Sequence, residues 1–171
     1  MTLKEFESFI LEHQNMVYTT ALRLLGSSAE AEDMAQEAFV KAFVRRGDFK
    51  PGDNPGGWMR TVVTNLCLNH LQRHRKRWRL FSELETADGH GIEETVPVYD
   101  LAPLDGGRSA ALDAALVTLP EAQRVPLVLF HFEDLSYEDI AQKLSVSIGK
   151  VKTDIHRGRQ ALRRAIGEEK S

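Results

Sequence analysis

Cysteine is almost absent. The single Cys67 has no internal partner and falls within a helical pattern, which excludes a disulfide-stapled secreted fold and makes the thiol a packing group. Long apolar runs are missing as well. No stretch is long enough to span a bilayer, and the opening Met1-Thr2-Leu3-Lys4-Glu5 lacks the regions of a signal peptide, so the expected compartment is the cytoplasm with no membrane insertion. Alternating apolar patterns of strand length and internal repeats are also absent, which leaves an all-α chain. With 42% hydrophobic and 27% charged residues, 171 residues suffice for one ordinary domain or two small ones.

Positive charge is in short supply overall, with a net charge of −3, but the signs are segregated along the chain. From Arg60 to Arg79 every charged side chain is basic. From Ser82 to Asp105 the ionisable residues are Glu83, Glu85, Asp88, Glu93, Glu94, Asp100 and Asp105, with His90 the sole possible cation. Such asymmetry points to a nucleic-acid surface beside an acidic tether. The acidic stretch also holds Gly89, Gly91, Pro97, Pro103, Gly106 and Gly107 and has no periodicity that could bury a face. It reads as a linker over 81–107, between helical modules at 1–80 and 108–171.

In the first module, Phe6, Phe9, Ile10, Val17, Ala21, Leu24 and Leu25 recur at helical spacing until Gly26. Ser27 and Glu30 form a capping box for a second helix with Ala31, Met34, Ala35, Ala38, Phe39, Ala42 and Phe43 facing inward. Its opposite face runs Glu30, Asp33, Glu37, Val40, Val44. Solvation explains the acids but not the valines, whereas a protein partner explains both. A turn-rich loop from Gly47 to Gly57 follows, closed by Asn54 as N-cap and Pro55 at the first helical position. A long helix then runs from about Trp58 toward Arg79, with Trp58, Val62 and Leu66 as its packing stripe and Met59 and Val63 beside them. Thr61, Asn65, Asn69, Gln72 and Lys76 make a polar stripe that continues into Arg73, His74, Arg75, Arg77 and Trp78. Cations for phosphate, flat rings for unstacked bases and amides for base edges suit a nucleic-acid strand.

The second module carries two short helices meeting at a sharp turn between Leu135 and Arg157, a helix-turn-helix. Ser136 caps the first helix, whose inward face is Ile140, Ala141 and Leu144, and Ser147 caps the second. Val151, Ile155 and Leu162 take the buried stripe of that second helix. Lys150, Lys152, Thr153, His156 and Arg157 then point outward near its start, where donors reach base edges and phosphates.

Asp33-Met34-Ala35-Gln36-Glu37-Ala38-Phe39, followed by Trp58-Met59-Arg60-Thr61-Val62-Val63-Thr64-Asn65, resembles the second conserved region of bacterial sigma factors. The helix-turn-helix, with Leu119-Pro120 before it and Gly149-Lys150-Val151-Lys152 within it, resembles their fourth region. Joined directly, the two resemble the extracytoplasmic-function class. That resemblance implies a fold of two small helical modules and a role in transcription initiation, with no cofactor, no metal and no chemical step of its own. It implies docking on core RNA polymerase, on the clamp helices of the largest subunit and on the flap, with Glu30, Asp33, Gln36, Glu37 and Val40 on the clamp. It implies promoter DNA as the second partner. Asp48, Phe49, Lys50, Asn54, Trp58, Thr61, Asn65, Asn69, Arg73 and Lys76 would melt and read the minus-ten element, and Lys150, Lys152, Thr153, His156 and Arg157 the minus-thirty-five element. An anti-sigma factor is a further partner that the resemblance allows. Four positions depart from the pattern. Asn69 stands where Asp is frequent, Ser145 replaces a turn Gly, Asp154 takes a site often basic, and Pro126 lies inside a helix.

Two other readings stay open. A dimeric helix-turn-helix regulator with an N-terminal sensing or dimerising module leaves the basic run from Arg73 to Arg79 without a role. A metal-dependent enzyme on His70 and His74, four apart on one helix face, lacks a Glu-bearing zinc motif and would set cations around the metal.

Overall fold

The computed structural model describes residues 1–50, 52–84 and 108–167, with side chains described outside 74–84 and 108–109. Among them are seven α-helices, one short 3-10 turn at Arg46–Asp48 and no strand. The acidic connector over 85–107 lies outside the described residues, as do the side chains of His74, Arg75, Lys76, Arg77, Trp78 and Glu83.

The first helix, α1 (Leu3–Leu25), begins with a full capping box. Thr2 Oγ1 accepts the Glu5 amide at 3.2 Å, and the Glu5 carboxylate takes the Thr2 amide at 2.8 Å. It ends at Gly26, whose φ of +68° turns the chain left-handed and returns its amide to the Leu22 carbonyl. Ser27 then caps α2 (Ser28–Val44) through the Glu30 amide, but the expected capping box is only half made. The Glu30 carboxylate instead meets His70 Nε2 of the third helix at 3.1 Å, because it gains a partner across the module there. Ala31, Met34, Ala38 and Ala42 are buried, so small side chains let α2 lie close on α1, while Phe43 stays 38% exposed.

Asn54 caps α3 (Pro55–Leu84) as expected, its Oδ1 accepting the Gly57 amide at 3.1 Å. The packing stripe is rotated from the sequence reading. Met59, Val63, Leu66 and Cys67 are buried, whereas Trp58 and Val62 lie half-buried at the stripe's edge. α3 also continues past Arg79, to Leu84.

The second module comprises α4 (Arg108–Val117), α5 (Glu121–His131), α6 (Tyr137–Leu144) and α7 (Ile148–Gly167). Pro126 sits buried inside α5 without ending it. The bond it forgoes would have used the carbonyl of Ala122, which lies exposed in the first turn. At the helix-turn-helix corner, Ser145 adopts φ 56° and ψ 47°. The Val146 amide reaches the Ala141 carbonyl and the Ser145 amide the Gln142 carbonyl, a Schellman closure built without glycine. Leu162 is only half-buried, and Gly158 joins Val151 and Ile155 on the inner face of α7, against α5.

The two modules pack together. α1 lies against α4 and α5, and one continuous core runs from Phe6 to Ile155. Arg124 of α5 is 5% exposed and spans the seam. Its Nε and Nη2 donate to the Leu24 carbonyl at 3.4 and 3.3 Å, and its Nη1 donates to the Leu119 carbonyl at 3.0 Å. A guanidinium from one module thus satisfies a carbonyl that the end of α1 leaves without a helical partner.

Ser145→Gly should stabilise the protein. A left-handed L-residue costs roughly 1–2 kcal/mol and glycine loses about 0.5–1 kcal/mol to backbone entropy, which leaves a net gain of about 1 kcal/mol. A urea midpoint that fails to rise contradicts the strain reading.

Candidate nucleic-acid and polymerase interfaces

Asp33, Gln36, Glu37 and Val40 are exposed on α2, and Glu30 is half-buried against His70. Apolar surface continues the acidic row, with Val40 62% and Val44 74% exposed. Beyond them a groove of about 410 Å³ opens between α2 and α3. Val40, Val44, Trp58 and Val62 give it an apolar wall, Lys41 and Arg45 stand on the α2 side, and Asn65 and Asn69 line the α3 side. Residues assigned from sequence to two different partners therefore meet in one concavity. Lys41 and Arg45 were not singled out from sequence, although their spacing of four places them one turn apart on one face.

The loop before α3 is held by its aromatic residue. Phe49 is half-buried, its ring 5.2 Å from Trp58 edge-on and 6.5 Å from Phe9. Asp48, Lys50 and Asn54 remain exposed around it, and the Lys50 amide donates to the Asp53 carboxylate at 2.6 Å. Thr61, Asn65, Asn69 and Arg73 follow along the exposed face of α3. Thr61 Oγ1 bonds back to the Gly57 carbonyl, and Arg73 Nε to the Asn69 carbonyl at 3.5 Å. The Lys76 side chain lies outside the described residues.

At the start of α7, Ser147 Oγ accepts the Lys150 amide at 3.1 Å, which fixes the helix's first turn. Lys152, Thr153, His156 and Arg157 are exposed beside one another. Lys150 differs from them. Its ammonium is 2.6 Å from the carboxylate of Asp154, which is 8% exposed. Asp154 therefore faces inward and is paired with Lys150, so no unpaired acid stands among the exposed donors of α7.

Three groups of ionisable chemistry lie apart from these surfaces or under them. Burial first, and the charges of Glu133 and Glu30 after it, push the Cys67 thiol up to about 12, so it packs as a neutral group. Among the described residues no cluster of His, Cys, Asp and Glu could hold a metal ion, and His70 is engaged with Glu30. Glu133, just past α5, is the unexpected residue. Its side chain is 6% exposed and lies 3.8 Å from Arg60 Nε, across the seam between the modules.

Residues 9–77 match Sigma-70 region 2, and residues 109–162 match Sigma-70, region 4. The chain is 36% identical over 171 residues to ECF RNA polymerase sigma factor SigE of Mycolicibacterium smegmatis, covering 99% of this chain and 64% of that protein. It is 30% identical to ECF RNA polymerase sigma factor SigW of Bacillus subtilis, covering 94% of this chain and 88% of that one. The chain belongs to the ECF RNA polymerase sigma factors. A solved structure of the sigma factor RpoE in complex with the anti-sigma factor NepR, from Bartonella quintana, aligns with a TM-score of 0.54 at 27% identity, covering 96% and 98% of the two chains. In this sigma factor the region 2 match ends within α3 and the region 4 match covers α4 to α7, so the seam at Arg124 is a seam between the two regions. No described helix is long and apolar enough to cross a membrane. Kinship with sigma factors disfavours the regulator reading.

Glu133 makes the seam sensitive to pH. Burial raises its pKa above the ordinary 4.5; Arg60 and then Arg23 oppose that rise, and Asp134 adds to it. A carboxyl with a raised folded-state pKa binds its proton more tightly when folded, so its contribution to stability falls as pH rises from the unfolded pKa through the folded one. Glu133→Gln should therefore melt at a higher temperature than the parent at pH 7, with the two converging toward pH 4. Melting curves that stay parallel across that range contradict this.

Proposed function

We propose that this sigma factor docks on core RNA polymerase through the exposed acidic and apolar face of α2 and reads a promoter with two separate surfaces. Glu30, Asp33, Gln36, Glu37 and Val40 contact the clamp helices of the largest subunit, and the region 4 module meets the flap. The Asp48 to Asn54 loop, Trp58, Thr61, Asn65, Asn69, Arg73 and Lys76 act on the minus-ten element. Lys152, Thr153, His156 and Arg157 act on the minus-thirty-five element, with Lys150 held by Asp154 as a near neighbour of phosphate. The observation that carries this reading is the groove, where Trp58, Asn65 and Asn69 line one concavity beside a row of exposed donors.

Its volume of about 410 Å³ lies in the ~300–1,000 Å³ range of small-molecule sites, which suits an extruded base. Trapping such a base offsets the few kcal/mol needed to unstack it. The sigma factor makes and breaks no bond; it supplies binding energy that favours the open strand. Its site of action is the cytoplasm, where the polymerase works. An anti-sigma factor is its regulator on this reading, which the similar RpoE chain, solved with the anti-sigma factor NepR, supports.

Run-off transcription with core polymerase on a promoter library tests the reading and returns the consensus. Transcripts that do not depend on the added protein reject it, and a footprint of a palindrome by the protein alone favours the dimeric regulator. Asp33→Lys and Glu37→Lys should weaken capture by core enzyme at unchanged melting temperature, because both side chains are exposed. Equal capture of both variants would remove the α2 face as the docking surface. Arg157→Ala should cost about 1–3 kcal/mol at one base position if it reads a base edge, or weaken all sequences evenly if it holds phosphate. Unchanged binding to every sequence would take Arg157 out of the interface.

A further inference from the structure

α7 carries more positive charge than the row assigned to the minus-thirty-five element uses. Lys152, His156, Arg159 and Arg163 follow one another at steps of four, three and four, which keeps them on one stripe of the helix. Arg159 therefore continues the line of Lys152 and His156 by one turn. Lys152, His156 and Arg163 are exposed, whereas Arg159 is half-buried.

The Arg159 guanidinium is held from two sides. Its Nε donates to His131 Nε2, at the end of α5, at 3.0 Å, and its Cζ lies 5.6 Å from the centroid of the Phe130 ring. Phe130 in turn stacks on Tyr137 of α6, with the rings 4.7 Å apart and 7° from parallel, and Lys152 Nζ lies 5.7 Å from the Tyr137 ring. A stacked pair of rings thus carries a cation at each end. The two cations sit on residues two turns apart on α7, about 10 Å along its axis, which spans about three base-pair steps of ~3.4 Å.

What distinguishes Arg159 is the nature of its partner. A carboxylate would orient the cation and cancel its charge, as Asp154 does to Lys150 on the same helix. His131 orients without cancelling. Partial burial first, and the Arg159 charge after it, lower the His131 pKa from its ordinary 6.5, so at pH 7 the ring is neutral and its Nε2 lone pair accepts. Arg159 keeps its full charge, and with Nε engaged its terminal Nη groups remain as donors for an anion. A guanidinium ordered beforehand also loses less freedom when it binds.

We propose that Arg159 holds a DNA phosphate at the flank of the minus-thirty-five element and that His131 is the positioning residue that presents it to the backbone with its charge intact. The inference rests on the minus-thirty-five reading of α7 given above and extends it to two residues outside that row. Arg159 adds grip and no sequence choice, because phosphate is the same at every step.

The test is binding of holoenzyme, core polymerase with the full chain, to a promoter duplex returned by the run-off library and to the same duplex with a scrambled minus-thirty-five element, across a salt series. Arg159→Ala should weaken both duplexes severalfold by the same factor and lower the slope of log affinity against log salt by about 0.9, the loss of one phosphate contact. His131→Ala should weaken binding too, and should cost nothing more when added to Arg159→Ala. His131→Gln restores a neutral acceptor and should bind like the parent. His131→Glu should bind no better than His131→Ala while melting at least as high, because it pairs with Arg159 and cancels the charge; a merely structural role would rank Glu first. Unchanged affinity and slope for Arg159→Ala overturn the proposal. So does a His131→Ala loss that persists without Arg159, or a Glu variant that binds as well as the Gln variant. A loss confined to capture of core polymerase gives the cation to the polymerase and overturns it equally. Thr153→Ala with Arg157→Ala, run alongside, separates the two levels. If that double variant also binds unchanged, the α7 reading falls and takes the proposal with it, whereas its weakening beside an unaffected Arg159→Ala removes the proposal alone.

Discussion

A guanidinium withdrawn from water must aim its N–H groups at acceptors, and the only acceptors a helix end offers in excess are its last carbonyls. Arg124 meets that requirement by reaching out of its own module to Leu24 at the end of α1, while another of its donors holds Leu119 at the entry to α5. Much else follows from this arrangement. The chain must leave α1 through a left-handed residue without a Cβ, α4 must lie along α1, and the Phe132–Glu133 corner is brought over Arg60. The bond lies beside an apolar core that itself continues across the seam, from Phe6 to Ile155.

The balance across the seam is a matter of which contacts are dry. Exposed pairs such as Lys143 with Asn65 contribute on the order of 0–1 kcal/mol, too little to hold two modules together. A buried Arg is different, since stranding it without acceptors costs several kcal/mol. Glu133 works in the opposite direction, because burial disfavours its charged form and Arg60 and Arg23 do not fully compensate. The seam thus joins one strongly satisfied charge with one poorly satisfied one. A surface built in this way is stable enough to form and cheap enough to leave.

Local features were legible in the sequence and distant ones were not. Ser136, Ser147 and Asn54 cap the helices they were expected to cap, because a cap is decided within three or four residues. The helix-turn-helix followed from the same short-range rules, and Ser145 tolerates the left-handed corner that glycine would otherwise occupy. The α3 stripe was misplaced by one residue. Trp58 and Val62 are as apolar as their neighbours, and only the approach of α1 and α2 decides that Met59 and Val63 go inside. Arg124 carried no sequence signal at all. It follows Glu121 and Gln123 in the first turn of a helix, where a solvated arginine is the ordinary expectation. Gly26 was read as a helix stop, which it is, but its second use as a gap for a guanidinium depends on a residue 98 positions away.

Asp154 illustrates how one placement changes the reading of a surface. Taken from the sequence alone, an acid among Lys150, Lys152, Thr153, His156 and Arg157 opposes phosphate binding. Placed at the inner edge of α7, it becomes the anchor of Lys150, and the ion pair draws one ammonium back along the helix while the other donors stay exposed. A charge-assisted bond of this kind, between a nearly buried carboxylate and an exposed lysine, fixes where a flexible side chain points. On the proposed reading, α7 would meet DNA with one ammonium fixed in place beside a row of exposed donors. A DNA-reading surface needs that definition, because phosphate attraction alone carries no sequence information and base discrimination depends on groups held in register.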